Sequence, residues 1–97
     1  MRFKKVTKFA AKLTKQGYNV FSPITMTHPI ARYIRPNEIS HDQWLQIDFY
    51  WLRHCDELWV YKQKGWENSM GVKMEVNYAN ALGLPVKYIN TEDETWV

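Results

Sequence analysis

Two carboxylates and one hydroxyl stand where bond-breaking chemistry would need them: Asp48, Glu75 and Ser69. Ser69 opens the run Ser69-Met70-Gly71-Val72, and Glu75 follows six residues after the serine. At a helix start, the serine hydroxyl and the free N–H groups point at one place and form a cradle for an anion. Gly71 lets a ligand come close to that backbone. Glu75 lies about one and a half turns into the same helix. Asp48 falls on the preceding helix, eight residues before Asp56 at the start of the following strand. Two carboxylates beside an anion cradle suit cleavage of a glycosidic bond, one attacking the anomeric carbon and the other helping the leaving group depart.

Each of these residues has a plainer reading when taken alone. A single Glu or Asp on a helix is usually a solvated side chain. A serine before a helix is usually its N-cap. His28, in a loop on this reading, is more often structural or exposed than catalytic. Cys55 has no partner that marks it as a nucleophile and reads as a small buried hydrophobe. Trp44, Trp51, Trp59 and Trp66 supply core or pocket wall. On spacing alone the set makes a weak case for a site.

The elements that would position these residues follow from periodicity. Phe3, Val6, Phe9, Ala10 and Leu13 recur at spacings of three and four, predicting a helix over residues 2–16 that stops at Gly17. Lys4, Lys8, Lys12 and Lys15 line up opposite Phe9 and Leu13, a solvated face on the plainer reading. Tyr18-Asn19-Val20-Phe21 reads as a short strand ended by Pro23. Residues 24–40, with Pro29 and Pro36, read as a long loop. A second helix, capped by Ser40 or Asp42, is expected to run to about Cys55, with Leu45, Ile47 and Leu52 on its apolar face. A buried strand follows at 57–61, then a loop holding Gly65 and Trp66. A third helix is expected over 70–82, with Met74, Tyr78, Ala79 and Leu82 buried and Gly83 as its stop. A last strand covers 85–89. Alternating helices and strands imply crossover connections and a mainly parallel sheet, whose ligands bind at the carboxyl ends of the strands. Those ends are residues 22–28, 61–69 and the segment after Ile89. A single domain over residues 1–97 is expected.

Composition narrows the class. The chain has 97 residues, 45% of them hydrophobic and 15% aromatic, enough for one packed domain and too rich in core material for disorder. One cysteine excludes an internal disulfide framework and a multi-thiolate zinc site, and suggests a reducing compartment. No apolar run is long enough to span a membrane, and MRFKKVTKF has no apolar stretch of the secretory kind. The formal charge is +3, with six of the thirteen cations and no acid in residues 1–17, and with Glu92, Asp93 and Glu94 near the end. No zinc-finger or helix-turn-helix spacing and no RNA-binding signature is present.

The stretches GYNVFSPITMTHPIA (17–31), DFYWLRHCDELWVY (48–61) and GWENSMGVKMEVNYANALGLPVKYI (65–89) together resemble the nucleoside 2-deoxyribosyltransferase-like superfamily. The third is the most specific, through S-x-G-V-x-x-E and the following A-x-x-L-G-x-P-V. The nearest branch is an uncharacterised, phage- and bacteria-associated family of small proteins. The resemblance implies a flavodoxin-like or Rossmann-like α/β fold. It implies that Glu75 attacks C1′ of deoxyribose and that Asp48 helps the base leave. Ser69 matches a phosphate-contacting serine of the branch that hydrolyses deoxynucleoside 5′-monophosphates, where the transferase branch tends to carry an aspartate. One departure stands out. The superfamily begins with a strand, whereas this chain begins inside the basic helix. The strand at 18–21 is then expected either to pair directly with 57–61 or to stand open to a partner strand, which would favour association.

The function expected is nucleotide N-glycosidase chemistry. Glu75 is the nucleophile, Asp48 the acid–base group, and Ser69, Gly71 and Val72 the phosphate cradle. His28 and Trp66 are pocket wall. No metal or organic cofactor is called for. The expected partners are a small nucleotide or nucleoside and a second copy of the chain, in the cytoplasm and without a membrane. Two alternatives stay open: a non-catalytic nucleotide-binding or inhibitory module in the same cleft, and a nucleic-acid- or protein-binding module using the basic first helix.

Overall fold

A computed structural model describes residues 2–90 of the chain. They form four α-helices and two β-strands, a mixed α/β architecture. The elements are α1 (Arg2–Lys15), α2 (Pro23–Ala31), α3 (His41–Leu52), β1 (Leu58–Lys62), α4 (Met70–Leu82) and β2 (Val86–Asn90). Single 3₁₀ turns lie at Pro36–Glu38 and Trp66–Asn68. The chain divides into two compact units that part between Trp44 and Leu45, within α3.

The first unit is a helical hairpin. On α1 the expected apolar face is confirmed: Phe9 and Leu13 are buried, while Lys4, Lys8 and Lys15 are exposed. The helix stops at Gly17, whose φ of 98° suits a residue without a Cβ. Gly17 N–H donates to Thr14 O and Tyr18 N–H to Leu13 O, the paired bonds of a Schellman close. α1 and α2 run antiparallel. The Phe3 ring stacks on His28 with centroids 4.6 Å apart, and the Thr7 and Thr25 hydroxyls bond at 2.8 Å. Ser22 Oγ donates to Thr25 Oγ1 at 2.9 Å, so a chain of three hydroxyls ties the start of α2 to the middle of α1.

Two expectations fail here. Tyr18–Phe21 is not a strand, because the Tyr18 N–H is already committed to closing α1 and Ser22 opens the next helix. Too few residues remain for a ladder, and Tyr18 and Val20 are exposed. Neither arrangement expected of that strand therefore arises. The supposed loop at 24–40 begins as helix α2, which contains His28 and Pro29. Pro23 occupies the first turn, where a missing N–H costs nothing, and Pro29 lies near the end, where one lost bond is tolerated.

α3 opens with a capping box. Ser40 Oγ accepts from Gln43 N–H at 3.1 Å, and Gln43 Oε1 accepts from Ser40 N–H at 2.8 Å. Of the two residues considered for the cap, Ser40 is the one that serves. The helix ends at Leu52, three residues before Cys55.

The second unit is a β-α-β unit with the rest of α3. β1 and β2 pair in parallel with Leu58 opposite Val86 and Lys62 opposite Asn90, joined through α4. Among the described residues the sheet has these two strands, so the third expected strand is missing from it. Leu45, Leu52, Val60 and Ala79 form the buried set, and Ala79 has no exposed surface. α4 closes as α1 does. Gly83, at φ 77°, donates to Asn80 O, and Leu84 N–H donates to Ala79 O. Of the expected stripe on α4, Ala79 is buried, Met74 and Tyr78 are half-buried, and Leu82 is exposed.

Candidate active site

The second unit brings Asp48 and Glu75 together. Leu45 and Leu52 are both buried on α3, and Asp48 lies three residues after the first and four before the second. That spacing puts all three on one face of the helix. α4 repeats the pattern with Val72, Glu75 and Ala79. Each carboxyl is thus set into the apolar stripe of its own helix and is carried inward with it. Beside them the Phe49 and Tyr78 rings stack with centroids 4.4 Å apart, fastening α3 to α4.

The two carboxyl groups share a hydrogen bond. Two carboxylates in contact repel, so such a bond needs a proton between them. Burial, the Asp48 charge and the hydrogen bond that the protonated Glu75 donates to Asp48 together push the Glu75 carboxyl up to about 8. With its carboxyl held that high, Glu75 keeps its proton near neutral pH, and it titrates together with Asp48. Asp48 Oδ1 is closed off from solvent, as is the Tyr61 hydroxyl oxygen.

Ser69 sits at the N-cap of α4. Its Oγ accepts from Val72 N–H at 3.2 Å, which is the cap reading of this residue realised. The hydroxyl proton is not consumed by that bond and can still be donated. A Cβ built on Gly71 would meet only Ser69 Oγ, at 3.8 Å, so the space above the first turn of α4 is open. Trp66 and Val72 line a groove of about 250 Å³ on the flank of α4, with Lys73, Val76, Asn77, Glu67 and Tyr88. Glu75 is not part of its wall. His28 belongs to the first unit, on α2 and not in a loop, exposed and stacked on Phe3. Of the seven expected site residues, the structure therefore joins Asp48 to Glu75, Ser69 to Val72 and Gly71, and Trp66 to the groove.

Tyr61 and Gln63 were not singled out by sequence, yet both are polar and withdrawn from solvent at the carboxyl end of β1. Their signal is alternation: a strand's side chains at i and i+2 share a face, and Gln63 continues the side of Tyr61. Cys55 is half-buried and donates to Trp51 O at 3.3 Å. Burial, followed by the Asp56 charge, pushes its thiol up, away from the thiolate a nucleophile needs. Among the described residues no group of three or more His, Cys, Asp or Glu could hold a metal ion, and no helix is long and apolar enough to cross a membrane.

Fold and site together define a small α/β chain in which α3 and the β-α-β unit bring the carboxyl groups of Asp48 and Glu75 into contact. The chain belongs to the family described as Domain of unknown function (DUF1937), whose model matches residues 1–91. No curated protein matches it.

Proposed function

We propose that this chain is a nucleotide N-glycosidase of the nucleoside 2-deoxyribosyltransferase-like kind, acting on a deoxynucleoside 5′-monophosphate, with β1-α4-β2 as adjacent parallel elements of a flavodoxin-like sheet. The observation that carries the reading is the contact between the Asp48 and Glu75 carboxyl groups, set on the inward stripes of α3 and α4, with Glu75 pushed up to about 8. One protonated and one ionised carboxyl are what the reaction requires. At rest the proton lies on Glu75; once it passes to Asp48 across their hydrogen bond, a Glu75 oxygen bonds to C1′ as the C1′–N bond breaks, and the base nitrogen takes the proton from Asp48. Water then attacks C1′, releases the Glu75 carboxylate and returns a proton to Asp48. The pair ends with the one proton it began with. Ser69 O–H and the free N–H groups at the start of α4 supply donors for the phosphate, which a carboxylate at position 69 would repel.

Chromatography of free base after incubation with the four deoxynucleoside 5′-monophosphates, their ribose counterparts and the parent nucleosides tests this. Base should appear from a monophosphate with wild type and not with Glu75→Gln. Release by both proteins equally would sink the mechanism.

A second reading, a nucleotide-binding module without turnover, is favoured by one observation: Asp48 Oδ1 is shielded from solvent, so a substrate would have to displace what covers it. On that reading the same nucleotides raise the melting temperature and no base is released. No thermal shift with any of them rejects it.

A further inference from the structure

The charge of the chain is divided unevenly between its two units. Up to Trp44 there are eight Lys and Arg against two Asp and Glu, a net +6; from Leu45 on there are five against eight, a net −3. Such a separation within one short chain is a recognised sign of an anionic partner for the basic part. The structure adds an arrangement to the count. Lys4, Lys5, Lys8, Lys12 and Lys15 all project from α1, and at about 100° per residue they fall within an arc of about 100°. No acidic residue lies on this helix. Lys4, Lys5, Lys8 and Lys15 are exposed. From Lys4 to Lys15 the row is about 16 Å long, at about 1.5 Å per residue.

We propose that this face of α1 binds the phosphodiester backbone of nucleic acid. A straight row of ammonium groups matches a straight row of phosphates, which duplex DNA presents at about one charge per 1.7 Å of axis. The row consists of lysines, which neutralise phosphate, and lacks the paired donor–acceptor side chains that read base edges. Binding is therefore independent of sequence. A lipid surface is the poorer match. A helix that settles into a membrane does so through a free apolar face, whereas Phe9 and Leu13 on α1 are buried. The surface lies wholly in the first unit and does not depend on the chemistry proposed for Asp48 and Glu75.

Fluorescence anisotropy of a short labelled duplex of mixed sequence, titrated with the full chain from about 50 to about 200 mM salt, tests the proposal. Wild type should bind, and its log K should fall linearly with log salt. The variant Lys4→Gln/Lys8→Gln/Lys15→Gln should bind about tenfold more weakly or worse at the lowest salt, with a slope smaller by about 2.7, or about 0.9 per lysine. Glutamine keeps the helix propensity of lysine, so circular dichroism should be unchanged. A control with the same net charge, Lys62→Gln/Lys64→Gln/Lys73→Gln, should bind as wild type does. The proposal is overturned by no binding at low salt, by equal losses in the two triple variants, or by a duplex of another sequence binding markedly more tightly. It is also overturned if phosphatidylserine vesicles bind while the duplex does not.

Discussion

Glu57 and Glu75 are the same amino acid in the same unit, and their surroundings drive them in opposite directions. Glu57 is exposed just before β1. It accepts from Trp59 Nε1 at 2.7 Å and faces Lys87 Nζ at 3.1 Å. The Trp59 hydrogen bond, and after it Lys87, hold its carboxyl below the ordinary range. Glu75 is set into the apolar stripe of α4 against another carboxyl and is held far above that range. A donor and a cation in water stabilise an anion that would exist without them. Burial against a like charge stabilises a proton that would otherwise be gone at neutral pH. Folding alone does not select the second arrangement, because two apolar side chains would fill the same space without it.

The largest expected effect breaks the contrast at its reactive end. Asp48→Asn should lower base release by about 10²- to 10⁴-fold, the usual worth of a positioned acid–base group, with KM for the nucleotide little changed. Steady-state kinetics on the released base would show it. Full activity in the Asp48→Asn variant would remove Asp48 from the reaction.

Stability against pH comes next, and here the two glutamates have opposite signs. Glu75 binds a proton in the folded chain that it does not hold when unfolded, between the ordinary 4.5 and about 8. Its contribution is therefore fully present below about pH 4.5 and is lost as pH rises toward about 8, at a slope of up to about 1.4 kcal/mol per pH unit. Denaturant unfolding should find Glu75→Gln close to wild type near about pH 5 and more stable near about pH 9. Glu57 runs the other way: its contribution is present above its ordinary value and lost as pH falls through it. Glu57→Gln should therefore leave the alkaline limb unchanged. If that variant flattens the alkaline limb instead, the shared proton is not where the carboxyl pair puts it.

Two smaller effects sharpen the reading of the α4 start. Ser69→Ala removes the acceptor for Val72 N–H and should cost about 1 kcal/mol by the same unfolding measurement. Gly71→Ala adds a Cβ with open space around it and an ordinary contact to Ser69 Oγ, and should stabilise by about 0.5–1 kcal/mol. If the cradle takes a phosphate close to the backbone, that same variant weakens nucleotide binding while the fold gains. A variant that gains stability and binds as tightly as wild type would deny Gly71 that role.

The elements legible in the sequence were those whose stops and periods agree. α1 and α4 have recognisable stops, Gly17 and Gly83, each in the left-handed conformation that closes the helix. β1 and β2 fall within one residue of the apolar runs that mark them. Residues 18–31 misled for two reasons. Tyr18, Val20 and Phe21 have the shape of strand residues, but a strand exists only with a partner, and local propensity cannot supply one. Pro23 and Pro29 look like breakers, yet one starts α2 and the other lies near its end.

The candidate site was legible as a pair of residues and not as an arrangement. Spacing together with the family resemblance singled out Asp48 and Glu75, and the three-then-four pattern around each also carried the information that both would be drawn inward. Their hydrogen bond depends on how α3 meets α4, which no pattern along one helix reveals. Ser69 was legible in both of its readings, since a cap and a phosphate contact use the same hydroxyl.

Carboxyl-carbon NMR titration of the labelled chain, following Glu75 and Asp48 with Glu57 as the internal reference, compares the two environments in one sample. The expected result is a Glu75 signal that keeps its protonated shift through neutrality and moves only near about 8, while Glu57 has ionised below 4.5. A Glu75 signal that titrates alongside the ordinary glutamates would contradict the shared proton, and with it the acid–nucleophile pair on which the proposed reaction depends.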